Sequence, residues 1–170
     1  MADFIFKILL YLAPMYFANA APIFLGGGKP LDMNKKFLDG KPILGQGKTI
    51  KGTIAGIVIG TLVGGIIGLL LAEYTSVIFS DYLLLSFLLA FGAIAGDIVA
   101  SFFKRRNNIS QGTEVLFLDQ LDFAFGAIIV GSIVYVPDFF EILVICVVTL
   151  LVHKVSNFVA YKVKLKKVPW

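Results

Sequence analysis

Three aspartates and three cations stand together in a chain that is otherwise strongly apolar. The segment from Asp97 to Asp122 reads D-I-V-A-S-F-F-K-R-R-N-N-I-S-Q-G-T-E-V-L-F-L-D-Q-L-D. Asp97 and Ser101 are four residues apart, so they share one face of a helix; Lys104 continues that face and Arg105 lies close to it. Asp119 and Asp122, three apart on the next apolar stretch, also share a face. A carboxylate inside an apolar helix costs roughly 2.5–3.5 kcal/mol at mid-membrane. Three of them around Lys104, Arg105 and Arg106 therefore point to a site for a divalent metal and a phosphate group. Hard oxygen donors suit magnesium, which often binds one or two carboxylates together with substrate phosphates, and neighbouring carboxylates repel unless a cation intervenes. Two other readings fit the same residues: structural ion pairs with Lys104, Arg105 or Lys154, and a proton or ion pathway.

A second stretch invites an anion. Gly45-Gln46-Gly47-Lys48-Thr49-Ile50-Lys51-Gly52 places glycine-rich backbone and Lys-Thr at the start of an apolar run. Free N–H groups and the helix dipole favour an anion at such a point. It resembles a phosphate-binding loop without being a P-loop, because Pro42 stands where that pattern needs glycine.

These groups must be held by membrane-spanning elements. The chain has 170 residues, 58% of them hydrophobic, and a net charge of +4. A chain this short cannot bury so much apolar side chain in a water-soluble core. The expected fold is an all-α integral membrane protein, one transmembrane domain over residues 1–170. Five helices of about 20 residues fit the hydrocarbon thickness, near 3–25, 52–73, 82–103, 117–136 and 139–162. A short polar turn, Glu73 to Asp81, joins the second and third. Two long polar connections, 26–51 and about 104–116, carry Lys29, Lys35, Lys36, Lys41, Lys48 and Lys51, then Lys104, Arg105 and Arg106. The tail adds Lys162, Lys164, Lys166 and Lys167, whereas the other side has Asp3, Glu73, Asp81, Asp138 and Glu141 with Lys7. The positive-inside rule puts the N-terminus outside, the C-terminus in the cytoplasm and all the polar chemistry on the cytoplasmic face. Cations confined to short loops between spans argue against nucleic acid as a partner. The first apolar run lacks a small-residue cleavage site, so no signal peptide is expected. The glycines and lysines of the first connection predict a loop that orders on nucleotide binding.

Other positions have two readings each. Asn19, in a first span that also holds Pro14 and Pro22, is an interhelical hydrogen bond or a substrate contact. Gly52, Gly56, Gly60, Gly64 and Gly68 recur every four residues, a face that admits close helix approach within the chain or in a homodimer. His153 and Asn157 share a face near the cytoplasmic end, for packing or phosphate contact, and Lys154 can snorkel. Cys146 stands alone, so there is no disulfide framework.

Gly96-Asp97, Ser101-Phe102-Phe103-Lys104-Arg105 and Asp119-Gln120-Leu121-Asp122, with Lys48-Thr49-x-x-Gly52, resemble the signature of the phosphatidate cytidylyltransferases. The archaeal branch, the CDP-archaeol synthases, is more similar still. That resemblance covers nearly the whole chain, including Asn19-x-x-Pro22, the G-x-G-K-T-x-K-G loop and the tail Lys166-Lys167-Val168-Pro169-Trp170. The chain departs from the bacterial pattern between Arg105 and Asp119, where Ser110-Gln111 and Gly112-Thr113-Glu114-Val115-Leu116 replace a Lys-Asp pair and a His-Gly-Gly stretch.

The resemblance implies a cell-membrane enzyme whose partners are CTP and an isoprenoid glyceryl ether phosphate, releasing pyrophosphate. It implies Mg2+ on Asp97, Asp119 and Asp122. Phosphates would be held by Lys104, Arg105 and the loop Gly45, Gly47, Lys48, Thr49 and Gly52, with Thr49 and Ser101 as hydrogen-bond donors. A small cation or proton transporter and a CTP-dependent polyprenol kinase are the rival functions.

Overall fold

The computed structural model describes residues 2–113, 115, 117–162 and 164. The tail motif at 166–170, Glu114, Leu116 and the side chain of Asn157 lie outside what is described. Among the described residues the chain forms six helices and no strand: α1 (Ala2–Leu25), α2 (Ile50–Leu70), α3 (Ala72–Ile78), α4 (Tyr82–Arg106), α5 (Leu118–Gly131) and α6 (Phe139–Lys162). Four of them, α1, α2, α4 and α6, are long and apolar enough to cross a membrane. The fourth expected span is shorter than its apolar run. α5 has 14 residues, about 21 Å of helix at 1.5 Å per residue. It closes in a turn in which Ser132 N–H donates to the Ile128 carbonyl and Val134 N–H to that of Gly131. The expected polar turn at 73–81 instead contains α3. Leu71 leaves helical geometry at ψ 34°, and the new helix sets Tyr74 edge-on against Phe6 of α1, centroids 5.5 Å apart.

α1 runs unbroken through both prolines, although each removes a donor to the carbonyl four residues back. Tyr82 supplies the missing donor for Pro14: its hydroxyl, from α4, bonds the Leu10 carbonyl at 2.8 Å. The glycine face of α2 is used within the chain. Gly52, Gly56, Gly60 and Gly64 are buried. A methyl group at Gly56 would meet Ile94 and the Ala18 carbonyl, and one at Gly64 would meet Ser86. This is how α1, α2 and α4 come close enough to share one core around Met15, Ala18, Leu89 and Ala90.

The charges divide between the two ends of the bundle. At one end Asp138 and Glu141 form a reciprocal cap on α6: Glu141 N–H donates to Asp138 Oδ1 at 2.8 Å and Asp138 N–H to Glu141 Oε2 at 2.9 Å, the capping-box arrangement. The Lys7 ammonium lies 2.6 Å from Glu141 Oε1, and the Tyr135 hydroxyl donates to Oε2 at 2.6 Å. The acids there serve helix ends and one ion pair. The other end holds both long connections.

Candidate active site

The site exists because α4 and α5 touch through backbone. A Cβ at Gly96 would collide with the Asp122 carbonyl, and one at Gly126 with the Gly92 carbonyl and the Gly96 backbone. Small residues four apart on α4, Gly92 and Gly96, permit this approach. The contact sets Asp97, the residue after Gly96, beside Asp122. The Gly92-x-x-x-Gly96 spacing is the signal that predicts the crossing, alongside the longer stripe on α2.

Asp97, Ser101, Lys104 and Arg105 of α4, Asp119 and Asp122 of α5, and Gly47 and Lys48 of the first connection line one cavity of about 330 Å3. The spacings on each helix therefore put these expected site residues in one place. The Lys48 ammonium bonds both oxygens of Asp97, at 2.6 and 2.5 Å. Lys104 does the same to Asp119, at 2.9 and 2.7 Å, and also donates to the Thr113 carbonyl at 2.7 Å. Asp119 Oδ2 further accepts the Val115 N–H at 2.9 Å, and Asp122 Oδ1 accepts the Phe123 N–H at 2.6 Å. Two of the three carboxylates thus carry a lysine ammonium, so ion pairing is part of the arrangement. All three nevertheless open to the same cavity. The Arg105 Nε is buried and makes no hydrogen bond among the described residues, which leaves a desolvated donor at the cavity wall.

The first connection is a folded unit rather than an unstructured link. Residues 29–31 run antiparallel to 48–50: Leu31 N–H donates to the Lys48 carbonyl at 2.7 Å and Ile50 N–H to that of Lys29 at 3.1 Å. Asp32, which the sequence reading did not single out, holds the glycine turn. Its Oδ2 accepts N–H groups of Leu44 and Gly45 at 2.9 and 3.0 Å, and its Oδ1 that of Asn34 at 3.0 Å. Burial alone would raise the Asp32 pKa, but these backbone bonds outweigh it and hold the carboxyl below its ordinary value. Arg106 fastens the same connection to the end of α4. Its guanidinium lies between the Phe37 and Phe102 rings, 4.9 and 4.8 Å from their centroids. It also donates to the Pro42 carbonyl, and its Nε is 3.1 Å from Asp39.

Gly45 sits at φ 91°, a backbone setting that favours glycine. A side chain there would meet Gln111 and Arg105, and one at Gly47 would come 3.1 Å from Gln111 Nε2. Gln111 and Gly112, from the stretch that departs from the bacterial pattern, complete the cavity wall. Three expected binding residues are not part of that wall: Gly45, which backs onto Gln111 and Arg105, and Thr49 and Gly52. Thr49 is buried as the N-cap of α2, its hydroxyl oxygen accepting from Gly52 and Gly27 N–H at 3.1 and 3.2 Å. Gly52 packs against Pro22 and Gly26. Both shape the loop's exit into α2.

A family model described as CarS-like, CDP-archaeol synthase, matches residues 1–170. The CDP-archaeol synthase of Methanocaldococcus jannaschii is 44% identical to this chain, over 98% of the chain and 97% of its own length. That of Thermococcus onnurineus is 42% identical over 94% of each. A solved structure, described as an intramembrane enzyme for archaeal membrane lipids biosynthesis, superposes with a TM-score of 0.79 at 35% identity, covering 88% of this chain and 91% of that one. With near-complete coverage in sequence and in fold, the chain belongs to the CDP-archaeol synthase family.

Proposed function

We propose that this chain transfers the cytidylyl group of CTP to the phosphate of 2,3-di-O-geranylgeranylglyceryl phosphate, giving the CDP-activated lipid and pyrophosphate. The observation that carries the reading is the single cavity in which three carboxylates meet Lys48, Lys104 and Arg105 at one end of an apolar bundle. A phosphate monoester at neutral pH is already an anionic nucleophile. Its oxygen attacks the α-phosphorus of CTP; the bond from that phosphorus to the bridging oxygen breaks, and pyrophosphate leaves. No protein base is needed, so the residues position the reactants and neutralise charge. Lys48, on the glycine turn, and Lys104 and Arg105, on α4, bind the phosphates. Ser101 donates a hydrogen bond from the same helical face. The three carboxylates are hard oxygen donors of the kind magnesium takes. Among the described residues the three acids, two of them held by Lys48 and Lys104, do not stand as a ready-made metal cluster; with those lysines on phosphates, Asp97, Asp119 and Asp122 would hold the metal, which when bound would neutralise charge on the attacking and leaving oxygens. Lys48 and Lys104 then exchange a carboxylate for a phosphate.

In this reading α5 and the turn after it make the fifth crossing, with the N-terminus outside and the cavity facing the cytoplasm. The loop cations at the cavity end support that orientation by the positive-inside rule. A transporter would need acids at several depths. Here Asp97, Asp119 and Asp122 share one cavity, while Asp138 and Glu141 cap a helix at the opposite end. Purified protein given magnesium, CTP and the isoprenoid ether phosphate should yield CDP-lipid and pyrophosphate in equal amounts. CDP plus a lipid pyrophosphate would assign a kinase instead.

A further inference from the structure

A second concavity, of about 580 Å3, lies on the side of α2 away from its glycine face. Its walls are Leu25 at the end of α1 and Ile54 and Val58 on α2, with Lys29 and Lys51 at the connection end. Ile54 is 57% exposed and Val58 46%, so the groove opens sideways, where the apolar bundle meets lipid. Lys29 and Lys51 are exposed and make no ion pair among the described residues, unlike Lys48 and Lys104. The groove wall is almost entirely apolar; Lys29 and Lys51 line it with their aliphatic stems and are exposed at its connection end, an arrangement that suits an anionic head on hydrocarbon tails. The groove's mouth, at that end, shares backbone with the catalytic cavity. The Lys29 carbonyl accepts from Ile50 N–H, and the Lys48 carbonyl from Leu31 N–H. Lys48 lines the cavity and Lys51, three residues on, the groove, a reach of at most about 10 Å along the chain.

Building on the cytidylyltransferase reading above, we propose that this groove holds an isoprenoid tail of the lipid substrate, with Lys29 and Lys51 drawing its phosphate toward Lys48. A second copy of the chain is a poor occupant, because two such mouths would bring lysines of both copies together, and like charges repel. A phosphodiester lipid carries less charge than a phosphate monoester, so the lysines favour the substrate over bulk lipid.

Two measurements test this. In steady-state kinetics Val58→Trp, which fills the groove, and the double variant Lys29→Gln, Lys51→Gln should each raise the lipid KM about tenfold with little change in the CTP KM. Leu62→Trp, lipid-exposed further along α2, should behave as wild type and so controls for the bulk of the new ring. In the second, Ile54→Cys is made in a Cys146→Ser background and labelled with a maleimide. The isoprenoid ether phosphate should protect Cys introduced there at lower concentrations than a phosphodiester lipid with the same tails. Unchanged lipid KM in both groove variants overturns the proposal, as does equal protection by the two lipids or a disulfide between two copies at that position. A wild-type protein that forms no CDP-lipid overturns the reaction reading instead, and the protection result is then read on its own.

Discussion

The Lys48 ammonium, on the first connection, holds both oxygens of Asp97, a residue 49 positions away on α4. This contact joins the glycine turn to the carboxylate cluster. In the proposed reaction each partner takes a second use, Lys48 on a phosphate and Asp97 as a ligand for the metal. Lys48→Met should therefore weaken CTP use more than lipid use. Charge-assisted bonds contribute about 1.5–3 kcal/mol each, so catalytic efficiency toward CTP should fall roughly ten- to over a hundredfold. Lys104→Met should do as much and disturb both substrates, since Lys104 sits between Asp119 and the Thr113 carbonyl. An unchanged CTP dependence in Lys48→Met would reduce the glycine turn to a linker.

Asp119→Asn and Asp122→Asn should each abolish turnover while the protein stays folded. The amide keeps the shape and removes the charge a metal needs. In Asp119→Asn the Lys104 ammonium also loses its counter-charge. Thermal unfolding in detergent separates the two consequences. Near-normal activity at ordinary magnesium in either variant removes that residue from the metal site.

Asp32 predicts a pH dependence with a definite sign. Its folded pKa is lowered by backbone N–H bonds from Leu44, Gly45 and Asn34. Its contribution is therefore present above the unfolded value near 3.8 and is lost as pH falls through the lower folded value. Amide hydrogen exchange at Leu44 and Gly45 should stay protected from neutral pH to about 4 and rise only below it. Asp32→Asn should expose both amides at neutral pH and raise the CTP KM. Protection that fades between pH 7 and 5 would assign the turn to another group.

Gly96→Ala tests the crossing of α4 and α5 without touching a polar side chain. The added methyl meets the Asp122 carbonyl, which cannot rotate away as a side chain can. Overpacking of this kind costs about 1–3 kcal/mol, seen as a lower unfolding midpoint. Activity should fall with it, because Asp97 and Asp122 are pushed apart. Wild-type activity and stability together would mean that the site does not depend on this contact.

The helices and the carboxylate cluster were legible because their signals are periodic: apolar runs of membrane length, and polar residues three or four apart on one face. Asp97, Ser101 and Lys104 share the cavity for that reason. What spacing could not reveal is set by contacts distant in sequence. Asp32 matters because Leu44 and Gly45 fold back onto it, and Arg106 because Phe37 arrives to complete its ring sandwich. Gln111 gains its place from the turn at Gly45 and Gly47. Thr49 takes a place spacing alone does not show, as the N-cap of α2, its oxygen accepting from Gly27 and Gly52, since a helix cap and an anion site use the same residue types. The apolar run after α5 suggested a longer helix than the one that closes at Gly131, since hydropathy does not mark a helix end.

In the proposed reaction Lys48, Lys104, Arg105 and three carboxylates carry cytidylyl transfer to a lipid phosphate. The most direct measurement follows phosphorus. CTP labelled at the α-phosphorus, and in a parallel reaction at the γ-phosphorus, is given to the purified protein with magnesium and the isoprenoid ether phosphate. The label is then partitioned between organic and aqueous phases. Transfer of the α-label to the lipid phase, with all γ-label in aqueous pyrophosphate, is the predicted result. Appearance of the γ-label in lipid, or of neither label, would contradict the account.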